Sequence, residues 1–204
     1  MCESGADELS RTLDALGKCF SDLLYSVDWI NIGGGQLFTE EHYDIEKAIN
    51  SLNVFQKQFN VRLYMEPCTA IMYKAGCFIT TVVDIVNTNI PTVILDSSAI
   101  CHLPDIVFFP YRSDVKNASL PFEQSFTYRL AGASCYSGDI FGDYSFDTPL
   151  RIGDRIVFED TAPYSLVKSS WFNGIPFPKV AIQDSDENVE IIKEYGYKEY
   201  KTSL

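Results

Sequence analysis

The chain has 204 residues, 16 basic against 28 acidic, for a formal net charge of −12. Apolar residues make up 46% and charged residues 22%, which is ordinary globular composition and excludes a collagen, a coiled coil or a disordered tail. The length suits one large domain or two small ones, and it is too short for a complete (β/α)8 barrel, typically about 250 residues, plus anything else. The acidic balance and scattered Lys and Arg argue against a nucleic-acid partner. They are compatible with a cationic substrate and equally with plain solubility.

Six cysteines, at 2, 19, 68, 77, 101 and 135, show no C-x-x-C spacing, and there are two histidines, His42 and His102. The expectation is therefore no structural metal site. The acidic start lacks the apolar core of a signal peptide, and no apolar run reaches the ~18 residues of a membrane span. These features predict a reduced, cytoplasmic protein with free thiols and no membrane partner.

In chain order, residues 5–24 predict a helix, with Leu9, Leu13, Leu16, Phe20 and Leu23/Leu24 at spacings of three and four. Val27–Ile32 reads as a short strand ended by Gly33-Gly34-Gly35. A helix over 40–59 follows, with Ile45, Ile49, Leu52, Phe55 and Phe59 as its stripe; Val61–Met65 is a second strand, closed by Glu66-Pro67. The order α, β, α, β is the grammar of a parallel sheet.

The pattern changes after about residue 75. Phe78–Val86, Thr92–Leu95, Ile106–Phe109, Phe126–Leu130, Arg155–Glu159 and Ser165–Trp171 predict strands of a mostly antiparallel β domain. Pro149, Gly153 and Asp154 predict a hairpin turn, helical periodicity returns at 185–195, and Glu187–Tyr200 reads as a closing helix or edge element. The boundaries are thus 1–75 and 76–204, with no internal repeat.

Several elements have both a chemical and a structural reading. The triple glycine can pass its backbone close to a phosphate or simply make a tight turn. Glu66 sits where parallel sheets meet ligands, or is a solvated strand end. Leu130–Asp139 is a small-residue loop with a thiol, Cys135, and a carboxylate, Asp139; it is a ligand-approach loop or a flexible turn. Tyr164 can donate its hydroxyl to an anion or pack as an edge aromatic. His102 and Asp105 lie close together after Leu95-Asp96-Ser97-Ser98-Ala99, and a lone histidine is commonly a satisfied structural imidazole.

The order of these elements resembles the fold-type III pyridoxal-phosphate decarboxylases, which act on ornithine, diaminopimelate and arginine. It is most similar to their carboxynorspermidine/carboxyspermidine branch. The segments that carry the resemblance are Cys2–Leu9, Trp29–Gly35, Leu95–Ala99, Cys101–Asp105 and Gly142–Asp147. The resemblance implies an α+β chain: the C-terminal piece of an alanine-racemase-like (β/α)8 barrel, followed by the mostly antiparallel β domain. It implies pyridoxal 5'-phosphate as cofactor. Gly33, Gly34 and Gly35 would receive the phosphate, Glu66 would face the pyridine nitrogen and Tyr164 would touch the cofactor edge. Cys135 would be the proton donor, reaching with Asp139 into the neighbouring subunit's site of a homodimer. Asp105, Asp139 and His102 would serve a cationic polyamine amino acid as substrate.

The sequence departs from the family pattern at Cys68-Thr69, where a Gly and a substrate-binding Glu are usual, and at Gln36, where a His is usual. The family's cofactor lysine and stacking histidine lie ahead of the Cys-Glu element with which this sequence opens. The implied chain is the C-terminal portion of the enzyme, working with an N-terminal-half partner. The alternative is a catalytically inactive remnant or interaction module that pairs with a full-length homologue.

Overall fold

The structure is a computed structural model and describes residues 5–109 and 111–204, so the Cys2-Glu3-Ser4 part of the opening motif lies outside the described residues. The chain divides into two units, Met1–Tyr73 and Lys74–Leu204.

The first unit holds α1 (Ala6–Cys19), α2 (Ser21–Leu24), β1 (Trp29–Asn31), α3 (Ile45–Phe59), β2 (Arg62–Tyr64) and α4 (Cys68–Met72). Asp44 starts α3 by accepting the Lys47 N–H, and Asn60 ends it in the left-handed region at φ 53°. Leu9 and Leu13 of α1 are buried with Ala48, Phe55 and Phe59 of α3. The predicted stripe of α3 is corrected at its start: Ile45 and Ile49 are exposed and the small Ala48 is buried among these residues. The predicted 5–24 helix breaks at Phe20, whose φ of −130° is not helical. Strands β1 and β2 pair in parallel, Trp29 opposite Arg62 and Asn31 opposite Tyr64. Ile30 and Leu63 pack on the helices, while Trp29 and Tyr64 stay exposed with their rings edge to face at 5.6 Å. The described residues form no barrel.

The second unit contains β3 (Phe78–Val86), β4 (Thr92–Leu95), α5 (Ala99–His102), α6 (Asp105–Phe108), β5 (Phe126–Ala131), β6 (Ile140–Phe146), β7 (Arg155–Phe158), α7 (Ser165–Lys168), β8 (Val180–Gln183), β9 (Val189–Lys193) and α8 (Tyr197–Ser203). Five strands form one sheet in the order β6-β5-β4-β3-β7. The β4–β5 pair is parallel and the other pairs are antiparallel, so the sheet is mixed. Residues 114–119 tie both edges: Lys116 N–H donates to Val157 of β7 (2.9 Å) and Ser119 N–H to Ser145 of β6 (3.0 Å). The sheet curls, and residues 114–119 take up part of the hydrogen bonding along its two edges. Val82, Val93, Leu95, Leu130, Phe141, Tyr144 and Phe158 fill its core, each such buried side chain contributing roughly 1.5–3 kcal/mol.

Three expectations are corrected. Ile106–Phe109 is the helix α6, because Pro104 fixes a helical entry and Asp105 suits a first turn, which override the β-branched pair behind them. Ser165–Trp171 is the helix α7 followed by a 3-10 turn at Phe172–Gly174, with Val167 exposed rather than buried in a sheet. Residues 189–193 form β9, paired with β8, because Asp184 closes a side-chain turn by accepting the N–H groups of Asp186 and Asn188. The Pro149–Asp154 segment does turn, but it joins β6 and β7 on opposite edges of the sheet and so is no hairpin.

Candidate functional site

The parallel register of β1 and β2 continues past the strands. Ile32 N–H donates to Tyr64 (3.0 Å) and Glu66 N–H to Gly33 (2.8 Å), so the triple glycine and Glu66 lie side by side at the carboxyl ends. Gly34 is held there by contact: a Cβ on it would stand 2.2 Å from the Glu66 carbonyl oxygen. Gly33 and Gly35 have φ of +75° and +98°, and a Cβ on Gly33 would meet nothing within 4 Å. The glycine loop is therefore closed on the Glu66 side at Gly34 and open at Gly33. The Asn31 side chain joins the two parts: its Nδ2 donates to Glu66 Oε1 (2.6 Å) and its Oδ1 accepts the Gly33 N–H (2.8 Å). Glu66 Oε2 and the N–H groups of Gly34 and Gly35 have no partner among the described residues. This arrangement offers donors to an anion and, beside them, an oriented carboxylate to a protonated nitrogen. Asn31 was missed by the sequence reading; its signal is a polar residue on a strand, two positions ahead of the glycines.

In the second unit, the loop between β5 and β6 is built around Asp139. Its carboxylate is 3% exposed at residue level. Oδ1 accepts the Ala99 N–H at the start of α5 (2.6 Å), and Oδ2 accepts the Ser134 N–H (3.1 Å). A Cβ on Gly132 would overlap this carboxylate at 2.3 Å, which explains a glycine there. Asp139 is expected to bind substrate, yet both its oxygens are engaged by backbone inside the subunit. Cys135, on the outer part of the same loop, is exposed, and its Sγ accepts a hydrogen bond from Asn173 Nδ2 (3.0 Å). Asn173 adopts a left-handed φ of 57° in the 3-10 turn, a conformation Asn tolerates well. The turn is tied to α5 through Cys101, whose Sγ–H donates to the Phe172 carbonyl.

His102 is buried, and both ring nitrogens meet backbone groups: Nδ1 accepts the Ser98 N–H (3.2 Å) and Nε2 lies 3.2 Å from the Pro176 carbonyl. These partners fix the Nε2–H tautomer. Burial holds its pKa below the usual 6.5, against the opposing pull of the Pro176 carbonyl and the Asp139 and Asp96 charges. The unfolded chain therefore takes up this proton first as pH falls. Its contribution is fully present above pH ~6.5 and declines below it, by at most about 1.4 kcal/mol per pH unit. Urea midpoints measured between pH 7.5 and 5.5 are expected to fall for the native chain and to be flatter for His102→Gln; equal slopes would refute the assignment.

Asp105 opens α6 and binds Lys168 Nζ with both oxygens, at 2.7 and 2.9 Å. Tyr164 precedes α7 and its ring lies 4.3 Å below the same ammonium. The second unit thus brings Asp105 and Tyr164 together around Lys168, and Asp139 and Cys135 together on one loop, with His102 as the last residue of α5. Among the described residues no His, Cys, Asp and Glu group is arranged to hold a metal ion, and no helix is long and apolar enough to cross a membrane.

Residues 19–162 match the family described as the C-terminal sheet domain of the pyridoxal-dependent decarboxylases. A carboxyaminopropylagmatine decarboxylase of Synechocystis is 38% identical over 206 residues, all of this chain and 53% of the relative. A carboxynorspermidine/carboxyspermidine decarboxylase of Campylobacter jejuni is 36% identical over 98% of this chain and 55% of its own length. The crystal structure of carboxynorspermidine decarboxylase from Campylobacter jejuni complexed with norspermidine aligns with a TM-score of 0.91, 36% identity, and coverage of 100% of this chain and 59% of that one. The chain spans about half the length of the curated relatives it matches. By its curled mixed sheet, its match over residues 19–162 and these likenesses, this chain belongs to the pyridoxal-dependent Orn/DAP/Arg decarboxylase family, whose C-terminal sheet domain it carries.

Proposed function

We propose that this chain serves the pyridoxal-phosphate-dependent decarboxylation of carboxynorspermidine or carboxyspermidine, giving norspermidine or spermidine. The observation that carries this reading is the strand-end pairing of a glycine cradle with a carboxylate locked by Asn31, in a chain 36% identical to a decarboxylase named for those substrates. The donor set fits the cofactor: the Gly34 and Gly35 N–H groups suit its phosphate and Glu66 suits its protonated ring nitrogen. Bound pyridoxal phosphate supplies an electron sink for the pair left when carbon dioxide departs.

This chain's residues supply the rest. Glu66 holds the proton on the ring nitrogen, and Asn31 orients Glu66. Tyr164 borders the cofactor. Cys135, reaching into the neighbouring subunit's site, would deliver its thiol proton to the carbon that lost carbon dioxide, as a general acid. Asp105 pairs with a substrate ammonium. Asp139 serves by bracing the loop that carries Cys135, and His102 by holding α5, which leads into Asp105. Residues 1–75 act as a piece of a (β/α)8 barrel. The open edges of β1 and β2, and the uncovered Trp29 and Tyr64, suit strands supplied by an N-terminal-half partner. Residues 76–204 form the β domain through which a cytoplasmic homodimer shares its sites.

The same open edges favour a second reading, a non-catalytic chain that pairs with a full-length homologue. Carbon dioxide release from carboxynorspermidine, by this chain combined with the remaining half of the Campylobacter jejuni relative, separates the two. Release with norspermidine formed supports the enzyme. Stable association without release supports the interaction module and overturns the enzyme.

A further inference from the structure

Asp105 is not an open acceptor. Lys168 Nζ occupies both carboxylate oxygens, at 2.7 and 2.9 Å, and rests on the Tyr164 ring at 4.3 Å. The Asp105 side chain is 24% exposed and that of Lys168 41%, so the pair is reached by water and the ammonium can leave it. The two residues come from separate elements, α6 and α7, so the fold itself brings the ammonium to the acid. The Tyr111 phenol is pushed up by burial and then by the charges of Asp105 and Asp160, so two carboxylates act on this region.

We infer that Lys168 is an internal stand-in for a substrate ammonium: it fills the Asp105 fork in the free protein and is displaced by a polyamine. This rests on the substrate class proposed above. The exchange replaces one ammonium by another and is nearly neutral for a ligand with a single charge. Lys168 must be displaced by any amine, so it weakens short amines and polyamines alike; a longer polycation offsets that cost through its further charges and its methylene stem, while a short amine does not. The long lysine stem lets the ammonium swing into water without moving α7.

Norspermidine titrated calorimetrically into the full chain tests this, using wild type, Lys168→Met, Lys168→Arg and Asp105→Asn. Lys168→Met is expected to bind about tenfold more tightly than wild type, Lys168→Arg like wild type, and Asp105→Asn more weakly than either. Wild-type binding that Lys168→Met leaves unchanged or weakens would overturn the stand-in role while leaving the substrate class intact. Binding insensitive to Asp105→Asn would also overturn it, by placing the amine elsewhere. No binding to wild type or to Lys168→Met would contradict the polyamine reading itself, and the stand-in role with it.

Discussion

Asp139→Ala is expected to destabilise the second unit by about 3–6 kcal/mol, since a buried carboxylate hydrogen bond is worth roughly 1.5–3 kcal/mol and two are lost. The Ala99 and Ser134 N–H groups would be left facing an apolar gap. Asp139→Asn is expected to cost nearly as much despite its matching shape. Two N–H groups converge on the side chain, and an amide can turn its oxygen to only one of them, leaving donor against donor at the other. Gly132 closes off relaxation, because the carboxylate already fills the space where its Cβ would be. Urea denaturation followed by circular dichroism measures the loss. A change below about 1 kcal/mol for both variants would refute the bracing role, since an exposed polar contact costs no more than that.

Cys135→Ala in the completed enzyme is expected to leave stability unchanged and to lower the decarboxylation rate by about 10²–10⁴, the usual contribution of a positioned general acid. The two readouts separate because the thiol is exposed and fills no core space. Asn173 donates to Sγ, which leaves the thiol's own proton free to point away from the turn. A hydroxyl in the same place is a much weaker acid, so Cys135→Ser is expected to restore little. A rate within twofold of wild type for Cys135→Ala would assign the proton to another group.

Sequence spacing revealed most of the framework and rather less of the site. Strands β3 and β4 were readable because their β-branched runs are bounded by turn residues. Strand β6 was missed because Gly142 and Asp143 interrupt it, although Phe141, Tyr144 and Phe146 are all buried. Short apolar runs misled where a local start signal decided the outcome, as Pro104-Asp105 did for α6. The glycine turn and Glu66 were legible from their positions at the ends of parallel strands. The partners of the site residues were not, because each comes from elsewhere in the chain: Asn173 lies 38 positions from Cys135, and Lys168 lies 63 from Asp105. His102 met its bland expectation of a satisfied imidazole, since Ser98 and Pro176 take both ring nitrogens.

The substrate class can be read from relative kcat/KM values of the completed enzyme on carboxynorspermidine, diaminopimelate, ornithine and lysine. Carboxynorspermidine is expected to lead by at least about tenfold, because it alone of the four carries more than one amine beyond the α-amino group to pair with Asp105. Preferred turnover of diaminopimelate, ornithine or lysine would contradict the assignment to carboxylated polyamines.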